Sequence, residues 1–104
     1  MENRVVVTGL GIISPLGNDV SSTWKALCSG VSGVGPLTSF DASAYEARIA
    51  AEVKDFDASK YGISPKDARR MEKFIQYALA STSQALADAG LDPAQEDRDR
   101  IGLS

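Results

Sequence analysis

The stretch Arg4–Asn18, RVVVTGLGIISPLGN, decides the fold class. Val5, Val6 and Val7 form a β-branched run with no polar alternation. That pattern predicts a strand with apolar cover on both faces, as in a sheet held between helical layers. Thr8 continues the run and Gly9 ends it. Gly9 and Gly11 permit a tight backbone turn where a Cβ would clash. Ile12 and Ile13 carry apolar surface onward, and Ser14-Pro15 with Gly17-Asn18 closes a loop ahead of a helix. The fold class is α/β, a sheet with helices packed against it.

Working outward, Asn18 or Asp19 caps a helix reaching about Ser29, and Gly30 stops it. Val20, Trp24, Leu27, Cys28 and Val31 follow helical spacing and form one apolar stripe. Ser29–Pro36 reads as a loop, Phe40–Tyr45 as a loop or short turn, Ala47–Val53 as an extended segment, and Asp55–Tyr61 as irregular. A second strong helix begins with Ser64 as N-cap, Pro65 at the first helical position and Asp67 as the capping-box acid. Its stripe runs Met71, Phe74, Ile75, Ala78, Leu79, Thr82, Leu86, Ala89, and Gly90 ends it. Unbroken, this helix would span roughly 25 residues and about 37 Å. Its Ala- and Ser-rich half, Ala78–Ala89, predicts a deep position where another helix approaches closely. Leu91-Asp92-Pro93 is a turn, Gln95–Arg100 a charged connector, and Ile101–Ser104 the start of a strand. No internal repeat or linker interrupts the chain, which reads as part of one domain, 1–104.

Composition narrows the function classes. The apolar fraction is 43%, the charged fraction 24% and the net charge −3, an ordinary globular balance that does not suit a nucleic-acid binder. No apolar run approaches the ~20 residues of a membrane span. The absence of a secretory-type apolar start and the single cysteine make the cytoplasm the expected compartment. There is no histidine, so this stretch holds no His-based acid–base pair and no zinc site of the usual ligand type.

Three constellations stand out. Gly9-Leu10-Gly11 after a strand suggests a dinucleotide turn, but position 14 is Ser followed by Pro15, where the fingerprint needs a third glycine opening a helix. A structural turn is the reading, and nucleotide-dependent thermal stabilisation would be the sign of the alternative. Cys28 lies near the C-terminal end of its helix, where the dipole disfavours a thiolate, and shares a face with Trp24. It reads as a buried, inert core cysteine. Lys66, Arg69, Arg70 and Lys73 are spaced i, i+3, i+4 and i+7, so a continuous helix would gather them on one cationic face. That face is either ordinary solvated surface or a dock for an acidic partner.

Taken together, VVVTGLGIISPLGN, STWKAL, FDASAY, VKDFD and RRMEKFIQYAL resemble the N-terminal part of the 3-oxoacyl-acyl-carrier-protein synthases, most closely the synthase II branch. The resemblance covers essentially the whole chain. It implies a thiolase-like layered fold, of which these residues are the N-terminal portion of the first half only, in a homodimeric enzyme of fatty-acid elongation. The implied reaction is a decarboxylating Claisen condensation, with one cysteine as acyl carrier and two histidines stabilising thioester oxygens. No such residue is carried over, because Cys28 does not match the nucleophile's motif, and condensation is not expected of these residues alone. Basic residues before FIQY receive the acidic helix of acyl carrier protein in this family; the matching positions are Lys66, Arg69 and Arg70. Lys73 follows by helical spacing only, and Pro65 adds no charge to the patch. Acyl carrier protein is thus the implied partner, with no cofactor, metal, nucleic acid or membrane. A non-enzymatic carrier-binding module using the same three cations is the competing reading.

Overall fold

The computed structural model describes residues 2–104. Helix α1, Val20–Cys28, starts on Asp19, whose carboxylate accepts from the Ser22 N–H at 2.7 Å and the Ser22 hydroxyl at 2.6 Å. These bonds, the hydroxyl's first, hold the Asp19 carboxyl below its ordinary pKa. A short antiparallel pair follows, β1 (Gly35–Pro36) with β2 (Ile49–Ala50), in register Gly35↔Ala50 and Pro36↔Ile49. The extended reading of Ala47–Val53 is thereby met in part. A 3-10 turn, Ala58–Tyr61, leads to helix α2, Pro65–Ala68, and then to helix α3, Lys73–Ala89. Ser64 caps α2 as expected, accepting from the Asp67 N–H at 3.1 Å and donating its hydroxyl proton to the Asp67 carboxylate at 2.7 Å. Gly90 ends α3 at φ 63°, a left-handed value that favours glycine.

The long second helix does not exist as one rod. Helix α2 ends at Ala68 with Arg69 as its cap, and Glu72, at φ −65° and ψ 154°, is an extended N-cap for α3. Helix α3 has 17 residues and is therefore about 26 Å long. Its covered face also differs from the apolar stripe. Gln76 and Ala80 are the buried residues of the helix, with Tyr77, Ser81, Gln84 and Ala85 half-buried beside them. Phe74 is 70% exposed and Leu79 44%.

What covers the small-residue face of α3 is an extended segment, not another helix. Residues 9–13 run along it with Gly9 and Gly11 innermost. A Cβ on Gly9 would stand 2.7 Å from the Ala89 nitrogen and 2.8 Å from its Cβ. A Cβ on Gly11 would stand 2.7 Å from the Ala85 nitrogen, with the Ser81 carbonyl oxygen nearer still. The two glycines therefore serve close packing rather than the tight turn expected of them, and neither has a positive φ. Side chains of α3 replace a neighbouring strand as hydrogen-bond partners. The Leu10 N–H donates to the Asp88 carboxylate at 2.9 Å, and the Ile12 N–H to Gln84 Oε1 at 3.1 Å. Gln84 Nε2 also donates to the Asn18 carbonyl at 2.6 Å.

The Val5–Val7 run forms no strand pair among the described residues, and its side chains are 94%, 63% and 79% exposed. Cys28 is exposed too, which corrects the buried-core reading, because the Trp24–Leu27 face of α1 lacks a covering layer here. The accessible surface is 8553 Å², against about 5,600 Å² for a self-contained monomer of this mass. The radius of gyration is 17.1 Å, against about 13 Å for a compact domain of this length. The apolar faces expected from the sequence are present, and no element among the described residues covers them.

Candidate functional site

The cationic turn sits where α2 gives way to α3. Lys66 lies within α2, Arg69 is the residue after it at φ −69° and ψ −19°, and Arg70 follows in the turn. All three are exposed, and none enters an ion pair or side-chain hydrogen bond among the described residues. The break at Arg69–Glu72 means the four cations do not share one helical face, which corrects the continuous-helix expectation. Lys73 is set apart from the other three. Its ammonium lies over the Phe56 ring at 5.8 Å from the centroid, within cation–π range.

Phe56 anchors an aromatic wall behind the turn. It stacks on Tyr61 with centroids 5.9 Å apart and meets Tyr77 edge-on at 4.9 Å. The Tyr61 hydroxyl donates to the Asn18 carbonyl at 3.2 Å, tying this wall to the loop before α1. A shallow hollow of about 410 Å³ opens between Phe56, Ala68, Arg69, Met71, Glu72 and Lys73. Of the two carboxylates near the cations, Asp67 is occupied by its hydrogen bond to Ser64 and Glu72 makes no capping bond. Lys66, Arg69 and Arg70 outnumber these two carboxylates, so the turn keeps a surplus of positive charge in a chain whose net charge is −3.

Two polar clamps brace the loops beside it, and neither was apparent from spacing. The Lys54 ammonium donates to the carbonyls of Pro15 at 3.2 Å, Gly33 at 3.1 Å and Glu52 at 3.0 Å. The Glu52 carboxylate accepts from the Thr38 hydroxyl at 2.8 Å and the Ser39 N–H at 3.0 Å. These donors, Thr38 first, pull the Glu52 carboxyl down to about 2. The one advance signal was that VKDFD, which contains Lys54, belonged to the family pattern; Glu52 lies just outside that string. Among the described residues no group of His, Cys, Asp and Glu is arranged to hold a metal ion, and no helix is long and apolar enough to cross a membrane.

Comparison with known proteins places this order of elements in the thiolase-like ketosynthase fold. The family model for the beta-ketoacyl synthase N-terminal domain matches residues 2–104, and the chain belongs to that family. It is 50% identical over 103 residues to the 3-oxoacyl-[acyl-carrier-protein] synthase 2 of Vibrio harveyi, covering 99% of this chain and 25% of that protein. Identity to the synthase 2 of Staphylococcus aureus strain COL is 43% over 100 residues, 96% of this chain and 24% of the relative. A solved structure titled "The ishigamide ketosynthase/chain length factor" superposes at a TM-score of 0.76 with 36% identity, over 86% of this chain and 22% of that one. The chain spans about a quarter of the length of the curated relatives it matches.

Proposed function

We propose that the full-length protein is a 3-oxoacyl-carrier synthase of the synthase II type, a cytoplasmic homodimer that elongates fatty acids with acyl carrier protein as partner. In the condensation, a cysteine thiolate takes the acyl group as a thioester and releases the carrier thiol. Malonyl-carrier loses carbon dioxide, and the resulting carbanion attacks that thioester carbonyl. A new carbon–carbon bond forms and the cysteine leaves as thiolate. Decarboxylation itself generates the carbon nucleophile, so the scheme calls on no metal or organic cofactor. The bond-making cysteine and histidines of such an enzyme are not among these residues, which contain no histidine and whose one cysteine lies at the C-terminal end of α1.

Within that protein the described residues serve as scaffold and landing surface. Lys66, Arg69 and Arg70 receive the acidic carrier. The observation that carries this reading is three exposed cations that have no ion-pair or side-chain hydrogen-bond partner among the described residues, gathered at one turn of a chain that is acidic overall. Unpaired guanidinium and ammonium groups keep their capacity for carboxylate contacts and for electrostatic steering. A free-standing binding module is disfavoured by the surplus of about 3,000 Å² of surface and by the bare Val5–Val7 and Trp24 faces.

The test is Arg69→Glu in the full-length enzyme. Reversal of one docking charge is expected to raise KM for carrier-bound substrate about tenfold, equivalent to about 1.4 kcal/mol. Turnover of a small acyl thioester, which makes no use of the landing surface, should stay near the parent level. Equal loss with both substrates would reject the docking role.

A further inference from the structure

Gln76 is the one buried polar side chain of α3, at 4% exposure. Its Nε2 donates to two carbonyls at once, Ala68 at 2.9 Å and Met71 at 3.2 Å. Those carbonyls flank Arg69 and Arg70 on either side. In an uninterrupted helix the Ala68 carbonyl would accept from the N–H of Glu72, and that of Met71 from Ile75. Here the Ile75 N–H turns instead to the Glu72 carbonyl at 3.1 Å, which also accepts the ordinary helical bond from the Gln76 N–H at 3.3 Å. The break therefore frees two carbonyls in a part-buried setting, and a carbonyl shielded from water without a donor is costly. A single carboxamide with two N–H groups restores both bonds.

We infer that Gln76 is a positioning residue for carrier docking: it locks the α2–α3 turn and so fixes the backbone from which Arg69 and Arg70 project. This rests on the docking reading above and deepens it. Long cationic side chains lose rotamer freedom on binding, and a mobile backbone beneath them would add to that loss. A turn pinned from within by a buried side chain removes the backbone part. The expected signature is weaker carrier affinity with unchanged chemistry, which a general loss of stability would not produce.

The experiment uses the full-length enzyme with Gln76→Met, which keeps chain length and burial but donates nothing. Expected are a rise of about fivefold in KM for carrier-bound substrate, turnover of a small acyl thioester within about twofold of the parent, and amide exchange at least about tenfold faster at Arg69 and Arg70. Unchanged exchange at those two amides would overturn the inference, as would equal loss with both substrates. Arg69→Glu, run in parallel, separates the two levels. If it raises KM while Gln76→Met does not, docking stands and the positioning role falls. If it has no effect, the docking reading falls and takes this inference with it.

Should Gln76→Met fail to fold, Gln76→Glu keeps the shape, and its carboxyl donates to one carbonyl only when protonated. As a carboxylate it donates nothing, so at neutral pH the variant should raise carrier KM and speed amide exchange at Arg69 and Arg70 as Gln76→Met is expected to, with small-thioester turnover within about twofold of the parent, and unchanged exchange at those two amides would overturn the inference.

Discussion

Gly11→Ala tests whether the N-terminal segment is held by close approach to α3. The added methyl would stand 2.7 Å from the Ala85 nitrogen and 2.9 Å from Gln84 Cβ, with the Ser81 carbonyl oxygen nearer still. Two of these are backbone atoms of a helix and cannot step aside, so the segment must lift. Lifting it stretches the Ile12–Gln84 bond, a neutral pair, and the Leu10–Asp88 bond, whose acceptor is a carboxylate. A neutral hydrogen bond contributes about 1 kcal/mol and one to a charged group about 1.5–3. Overpacking of a fitted contact costs a further 1–3 kcal/mol, roughly. Partial relaxation leaves a net cost of about 2–4 kcal/mol. At the lower bound, the Leu10 and Ile12 amides of the full-length protein should exchange about 30-fold faster. Gly35→Ala is the control, because a Cβ there meets nothing within 4 Å and Gly35 has no positive φ. If Gly11→Ala matches Gly35→Ala in amide exchange and apparent Tm, the close-packing account is wrong.

Two further outcomes concern the clamps. Lys54→Met removes three charge-assisted bonds that join the loops at Pro15, Gly33 and Glu52, and should destabilise the protein by about 2 kcal/mol in denaturant unfolding. Glu52→Gln tests the carboxylate held down to about 2 from an ordinary value of 4.5. A depressed carboxyl stabilises the fold above the unfolded pKa and loses that contribution as pH falls through the folded one. The stability gap between parent and Glu52→Gln should therefore be full at neutral pH, shrink below about 4.5 and close near 2. A gap that persists unchanged to pH 2 would show that the carboxylate's charge is irrelevant there.

Local chemistry was legible in the sequence because it is settled within a few residues. Asp19 and Ser64 cap helices through bonds to residues three positions on, and Gly90 closes α3 in the conformation its missing side chain allows. The family pattern was legible for the same reason, being carried by contiguous strings. The helix break was not, since Gln76 has to reach back eight residues to Ala68, and side-chain periodicity alone reads straight through such a bend. Nor was the buried face of α3. Its small residues do follow helical spacing, but only the tertiary structure shows that an extended segment some 70 residues earlier occupies them. Gly9 and Gly11 make the same point: the sequence called for positions without a Cβ, and the backbone packed against them decided why. Composition and spacing determined that cations would gather before FIQY. Only the fold decided that Lys66, Arg69 and Arg70 have no partner among the described residues while Lys73 goes to Phe56, because pairing across a bend depends on distances that sequence separation does not encode.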